Sequence, residues 1–170
     1  MTSLPIADYA LLSDCRSAAL VSRDGGVDWL CFPRFDGPSV FARVLDEDAG
    51  HFSIRPVGEA EVTRRYRRES MVLETTYRTA TGSAIVIDAL AVGRNERGHE
   101  LGAGAPGLLL RQIVGVNGEV TFAVEYAPRP EYGLVFPLLE AVDGGVLGRG
   151  GADVLALSST VTLEVDGSRA

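Results

Sequence analysis

The stretch DGGVDWLCFPRFDGPSVF, residues 24–41, gathers the residue types best able to do chemistry in this chain. Asp24, Asp28 and Asp36 bracket Trp29, the only tryptophan, and Arg34 stands between Phe32 and Phe35. Two carboxylates at a set separation are what glycosidic-bond cleavage needs, one as acid and one as base or nucleophile. An aromatic ring beside acids also suits the apolar face of a sugar. Against this, Asp24 precedes Gly25-Gly26 and reads as a turn residue, while Asp36 precedes Pro38 and reads as a helix cap. The chain has 23 acidic residues in 170, enough for such clusters to arise by chance, so these aspartates are not assigned as a catalytic pair.

Other chemistries find less support. His51 and His99 lack the HxxxH or HExxH spacing of a metal site, and Cys15 and Cys31 are too few for a disulfide framework or a zinc site. Neither a metal nor a cofactor is expected. There is no G-x-S-x-G, and the glycine pairs at 25–26 and 150–151 lack the strand–loop–helix context of a phosphate loop.

The elements that must position these residues are mostly strands. EVTFAVEYA (119–127) alternates apolar and polar residues, as a half-buried strand does. LLLRQIVGV precedes it, and Asn117-Gly118 between them predicts a type I′ hairpin. A second hairpin is predicted from SMVLETTYRT and SAIVIDAL around Ala80-Thr81-Gly82, and a third from SAALVS and VDWLC around residues 23–26. HFSIR and EVTRRYRR add two strands; GLVF, VLAL and TVTLEV are weaker ones. Trp29 and Cys31 are expected on the buried side of VDWLC. One short helix is predicted over Pro38–Leu45, where Val40/Val44 and Phe41/Leu45 share helical faces. GRNERGHELGAGAPG and DGGVLGRGGAD read as Gly-rich loops. The expected fold class is therefore all-β, an antiparallel β-sandwich with that one short helix.

Composition fits a single domain over residues 1–170. The net charge of −7 repels phosphate backbones, so no nucleic-acid partner is expected. The basic run Arg64–Arg68 reads as the solvated end of a strand. No stretch is apolar and long enough to span a membrane, and MTSLPIADYALLSD lacks a basic leader region, so a cytoplasmic location is expected.

A short echo links two places in the chain: PRFD at 33–36 and PRPEYG at 128–133. Together with IADYALLSDCRSAALVSRDGGVDWLCFPRFD, VLETTYRTATGSAIVIDAL and LLRQIVGVNGEVTFAVEYAPRPEYG, these motifs resemble the N-terminus of bacterial and archaeal glycoside hydrolase family 15 proteins, the trehalase-like and glucoamylase-like enzymes. The likeness runs from about Ile6 to Gly133. Ser17, Gly26 and Gly37 stand where that family usually has Thr, Ser and Ser, and PRPEYG where it tends to have PRFDYG.

That resemblance implies a super-sandwich-like N-terminal domain ahead of a helical (α/α)6 barrel that carries two catalytic glutamates and inverts an α-glucosidic centre. No catalytic residue carries over, because every matching position lies in the sandwich. The chain alone is thus expected to be inactive, an N-terminal domain without its barrel. TVTLEVDGSRA reads as a strand cut shortly after its end. The loops expected to face the barrel or lie near ligand carry Trp29, Pro33, Arg34, Phe35, Asp36, Arg129, Glu131 and Tyr132. An α-glucoside contact (trehalose or maltose) and a homodimer through exposed sheet edges are further expectations. The alternative is a carbohydrate-binding module acting alone, with Trp29, Phe35 or Tyr132 as stacking rings.

Overall fold

The computed structural model describes residues 4–170. Thirteen strands form three antiparallel sheets. The largest sheet contains β1 (Tyr9–Ser13), β2 (Ala18–Ser22), β3 (Gly26–Cys31), β5 (His51–Pro56) and β10 (Phe122–Ala127) in that order, with β4 (Ser39–Phe41) also on β3. A four-stranded sheet runs β6 (Glu61–Tyr66), β7 (Leu73–Arg78), β8 (Gly82–Leu90), β9 (Leu109–Gly118). The smallest runs β11 (Leu138–Val142), β12 (Gly145–Gly150), β13 (Asp153–Ser158). All three feed one core. Leu12, Val21, Val27, Phe52 and Ile54 from the first sheet meet Leu73, Tyr77 and Val86 from the second, and Leu139 and Val146 from the third. The all-β sandwich expected from the alternation is present.

The β2–β3 and β7–β8 hairpins form as predicted, with Val21 opposite Val27 and Tyr77 opposite Ala84. Several expectations are overturned. The helix over Pro38–Leu45 is absent: Ser39–Phe41 is a strand whose three residues are all buried, and Leu45 is exposed. Burying Val40 and Phe41 beside β3 outweighs a weak local helical pattern. Asp36 does not cap anything there; it pairs with Arg34.

The hairpin at Asn117-Gly118 is also absent. β9 pairs with β8 and β10 with β5, so the two strands lie in different sheets. Only Gly118 has positive φ, at 58°, where a type I′ turn needs two such residues. A Cβ on Gly118 would fall 2.2 Å from the Thr81 carbonyl, so glycine lets the chain leave one sheet for the other.

DGGVLGRGGAD is not simply a loop, since β12 lies within it. Its glycines serve close strand packing: a Cβ on Gly145 would meet the Leu157 carbonyl at 1.9 Å. GLVF and TVTLEV are not strands, whereas β1 and β11 form without having been predicted.

A buried ion pair ties the four-stranded sheet to the largest one. Arg111 of β9 contacts Asp88 of β8 at 2.8 Å, with the two side chains 2% and 1% exposed. The same guanidinium donates across to the Phe52 and Gly25 carbonyls at 2.6 and 2.8 Å and lies over the Phe52 ring. Arg64 also turns inward, donating to the Asp8 and Val21 carbonyls, while Arg65 and Arg67 clasp Glu74. Arg64, Arg65 and Arg67 are thus tied into the fold, while Arg68 stays exposed.

Candidate functional site

The two echo loops, far apart in sequence, are neighbours in space. The Tyr132 N–H donates to Ser39 Oγ at 3.0 Å, and its hydroxyl donates to the Gly37 carbonyl at 3.3 Å. The Arg129 N–H donates to the Val40 carbonyl at 2.9 Å. β4 is therefore the seam that holds 33–37 against 129–133. Its extended conformation, where a helix was expected, is what brings the loops together.

The first loop leaves β3 through a cis Phe32-Pro33 bond. Its Phe35 N–H donates to the Arg16 carbonyl at 2.8 Å, and Gly37 closes a turn onto Arg34. Arg34 grips Asp36 with two bonds, 2.9 and 3.1 Å, while both side chains stay 56% exposed. Phe35 projects into solvent at 69% exposure, and Pro33 is exposed beside it.

The second loop is wound tightly. Glu131, Tyr132 and Gly133 all have positive φ, 56°, 59° and 93°. Two non-glycine residues in succession in the left-handed region cost energy, and such strain concentrates at functional loops. Gly133 is required where it stands, because a Cβ there would press on Ala49 at 3.0 Å. Glu131 and Tyr132 are exposed.

The two arginines of the echo differ. Arg129 is 3% exposed, donates to the Pro128 and Ser168 carbonyls at 2.7 and 2.8 Å, and lies over the Phe136 ring. Burial, with Arg169 nearby, works against its charge. Of the pair, Arg34 is the exposed one. Trp29 is half-buried and lies outside the core cluster, whereas Cys31 is buried as expected. The Trp29 ring tilts against Tyr132, with centroids 6.2 Å apart. Beyond the predicted residues, the exposed Leu134 and Phe136 extend the same apolar rim. GLVF was read as a strand, so its exposure on a loop went unseen. Behind Pro33 lies an apolar cavity of about 630 Å³, walled by Phe32, Phe41, Phe52, Tyr126, Leu155 and Leu157 among others.

The other aspartates of the opening stretch are engaged within the fold. Asp28 is buried, accepts a bond from the Tyr9 hydroxyl at 3.1 Å and contacts Arg43 at 2.6 Å. Burial and Asp28 push the Tyr9 hydroxyl up to about 12, so it stays a donor. Asp24 accepts from Ser22 in the β2–β3 turn. Nearby, His51 Nε2 meets Glu125 at 3.1 Å, and Arg169 meets the other Glu125 oxygen at 3.3 Å. Each of these carboxylates is thus engaged by a hydroxyl, arginine or histidine partner within the fold. Among the described residues, no cluster of three or more His, Cys, Asp or Glu side chains has the arrangement of a metal site. Nor is any helix among them long and apolar enough to cross a membrane.

Comparison with known proteins adds the lineage. The family described as trehalase-like, N-terminal, matches residues 1–169. A trehalase of Mycolicibacterium smegmatis is 43% identical over 138 residues, which are 75% of this chain and 21% of that protein. A trehalase of Mycobacterium tuberculosis is also 43% identical over 138 residues, 20% of its length. Trehalase 1 of Sulfolobus acidocaldarius is 34% identical over 131 residues, 76% of this chain and 20% of the relative. The chain spans about a fifth of the length of these curated relatives. No solved structure gives a significant match.

Proposed function

The chain belongs to the trehalase-like N-terminal family, and on that premise we propose that it is the non-catalytic N-terminal domain of an α-glucoside hydrolase of the glycoside hydrolase family 15 kind. On this reading residues 1–170 are one domain that packs on a helical catalytic barrel and shapes its mouth. Hydrolysis of trehalose is the activity carried by the names of the relatives, and it belongs to the barrel. The work is cytoplasmic, in keeping with the free thiols Cys15 and Cys31.

One observation carries the reading. Two loops from distant parts of the sequence are held together by β4, and they present Phe35, Tyr132, Glu131 and the Arg34–Asp36 pair outward. An exposed planar guanidinium beside exposed aromatics suits a protein surface with carboxylates or free carbonyls. Arg34→Ala in the longer enzyme is expected to lower its trehalose turnover or its melting temperature. Wild-type behaviour in both contradicts the docking role.

A second reading has one observation in its favour: the Trp29–Tyr132 pair with Phe35 offers rings to a sugar face. It makes the chain a carbohydrate-binding module, and sugar titration separates it from the docking domain.

A further inference from the structure

A strand at the edge of a sheet leaves half its backbone groups unpaired, and folded proteins blunt such edges with charge, brevity or a covering contact. Among the described residues seven strands pair with one neighbour only: β1, β4 and β10, β6 and β9, β11 and β13. Six are blunted. The Val40 carbonyl of β4 accepts from the Arg129 N–H at 2.9 Å. Leu11 of β1 exchanges two bonds with the Tyr66 hydroxyl, both 2.8 Å. Tyr126 of β10 exchanges two with Ala170, at 2.7 and 3.0 Å. β6 carries the exposed Glu61 and Arg65. β11 is five residues long with Glu140 at its centre. β13 opens with Asp153 and looks across the apolar cavity at Pro106–Leu109 of its own chain.

Beyond Leu109, which lines that cavity, β9 has none of these devices. It is ten residues long. Its one charge, Arg111, is turned inward onto Asp88. From Gln112 to Gly118 it has no charge and no proline. Leu110, Ile113, Val114 and Val116 are exposed, and they point to both faces of the sheet.

We propose that β9 is a self-association edge: two copies pair β9 against β9, antiparallel about a two-fold axis, and join their four-stranded sheets into one of eight. An antiparallel edge pair is what a two-fold axis generates, because each strand meets its own reverse. Charge permits it. With the axis at Val114, Asn117 faces Arg111 and Glu119 faces Leu109, so no like charges stand opposite one another. The equivalent self-pairing of β6, centred between Thr63 and Arg64, would set Arg65 against Val62 but crowd Arg64 and Arg65 of both copies around the axis. The inference stands apart from the proposed function, since it concerns this chain with itself.

The test is the solution mass of the full chain, followed by sedimentation over a range of concentrations. A dimer is expected, with β9 amides gaining exchange protection as concentration rises. Val114→Lys sets two ammonium groups together at the axis and is expected to halve the mass while leaving the circular dichroism unchanged. Val154→Lys, on the β13 edge, is expected to leave the dimer intact. A wild-type chain that stays monomeric overturns the proposal. So does a dimer that survives Val114→Lys, or one lost in Val154→Lys instead. If Val114→Lys does not fold, the exchange measurement on wild type decides: β9 amides whose protection is independent of concentration overturn the proposal.

Discussion

Two arginine–aspartate pairs in this chain have nearly the same bond length and opposite surroundings. Arg111–Asp88 is 2.8 Å long, with side chains 2% and 1% exposed; Arg34–Asp36 is 2.9 Å long, with both 56% exposed. The first binds two sheets, because the same guanidinium reaches two carbonyls and a ring on the facing sheet. The second does no such joining and stays within one exposed loop. Identical chemistry becomes a joint between sheets where water is excluded and a local clasp within one loop where it is not. Arg129, the sequence counterpart of Arg34, falls on the buried side of that divide.

The largest expected effect follows from breaking the buried pair. Asp88→Ala leaves Arg111 charged and buried without its counter-ion, and is expected to cost about 3–5 kcal/mol, read from urea unfolding. A loss no larger than that of a surface mutation would remove the joint from the account.

A smaller effect lies between the extremes, at the half-buried His51–Glu125 pair. Burial and the Arg43 charge push His51 below its usual 6.5, so it is neutral in the fold where the unfolded chain already takes up a proton. Burial works against an ionised Glu125, but His51 and the nearby arginines outweigh it and hold the carboxyl below its usual 4.5. In both cases the unfolded chain binds protons first as pH falls. Stability is therefore complete at and above neutral pH. It declines as pH drops below 6.5, and falls further through the carboxylate range. His51→Gln keeps a donor at the same place without the titration. It is expected to flatten the upper part of that decline, measured as urea midpoints against pH; an unchanged slope contradicts this.

The smallest effect is expected at the exposed pair. Arg34→Ala in the isolated chain should shift stability by no more than about 0.5 kcal/mol, since exposed pairs contribute little. A loss comparable to that of Asp88→Ala would erase the contrast between the two pairs.

The sequence made the strand alternation and two hairpins legible because Asp24-Gly25 and Thr81-Gly82 punctuate them without competing signals. It misled where a local signal met a stronger distant one. Val40 and Phe41 have helical spacing, yet burial beside β3 makes them a strand. Asn117-Gly118 has hairpin chemistry, yet β8 offers β9 a long partner and β5 takes β10. Glycine marks loops by composition, but Gly145 serves close packing inside β12. The candidate site was legible as an echo of PRFD and PRPEYG. Its assembly was not, because β4, the strand that joins the loops, lay in the segment read as a helix.

The central proposal is that this chain carries no glucoside chemistry of its own and works by contact. Calorimetric titration of the purified chain with trehalose tests it most directly, since the same trace reports binding and turnover. The account predicts neither heat of binding in the millimolar range nor released glucose. Sustained heat with glucose release would contradict it outright, and tight binding without turnover would transfer the loop pair from docking to sugar recognition.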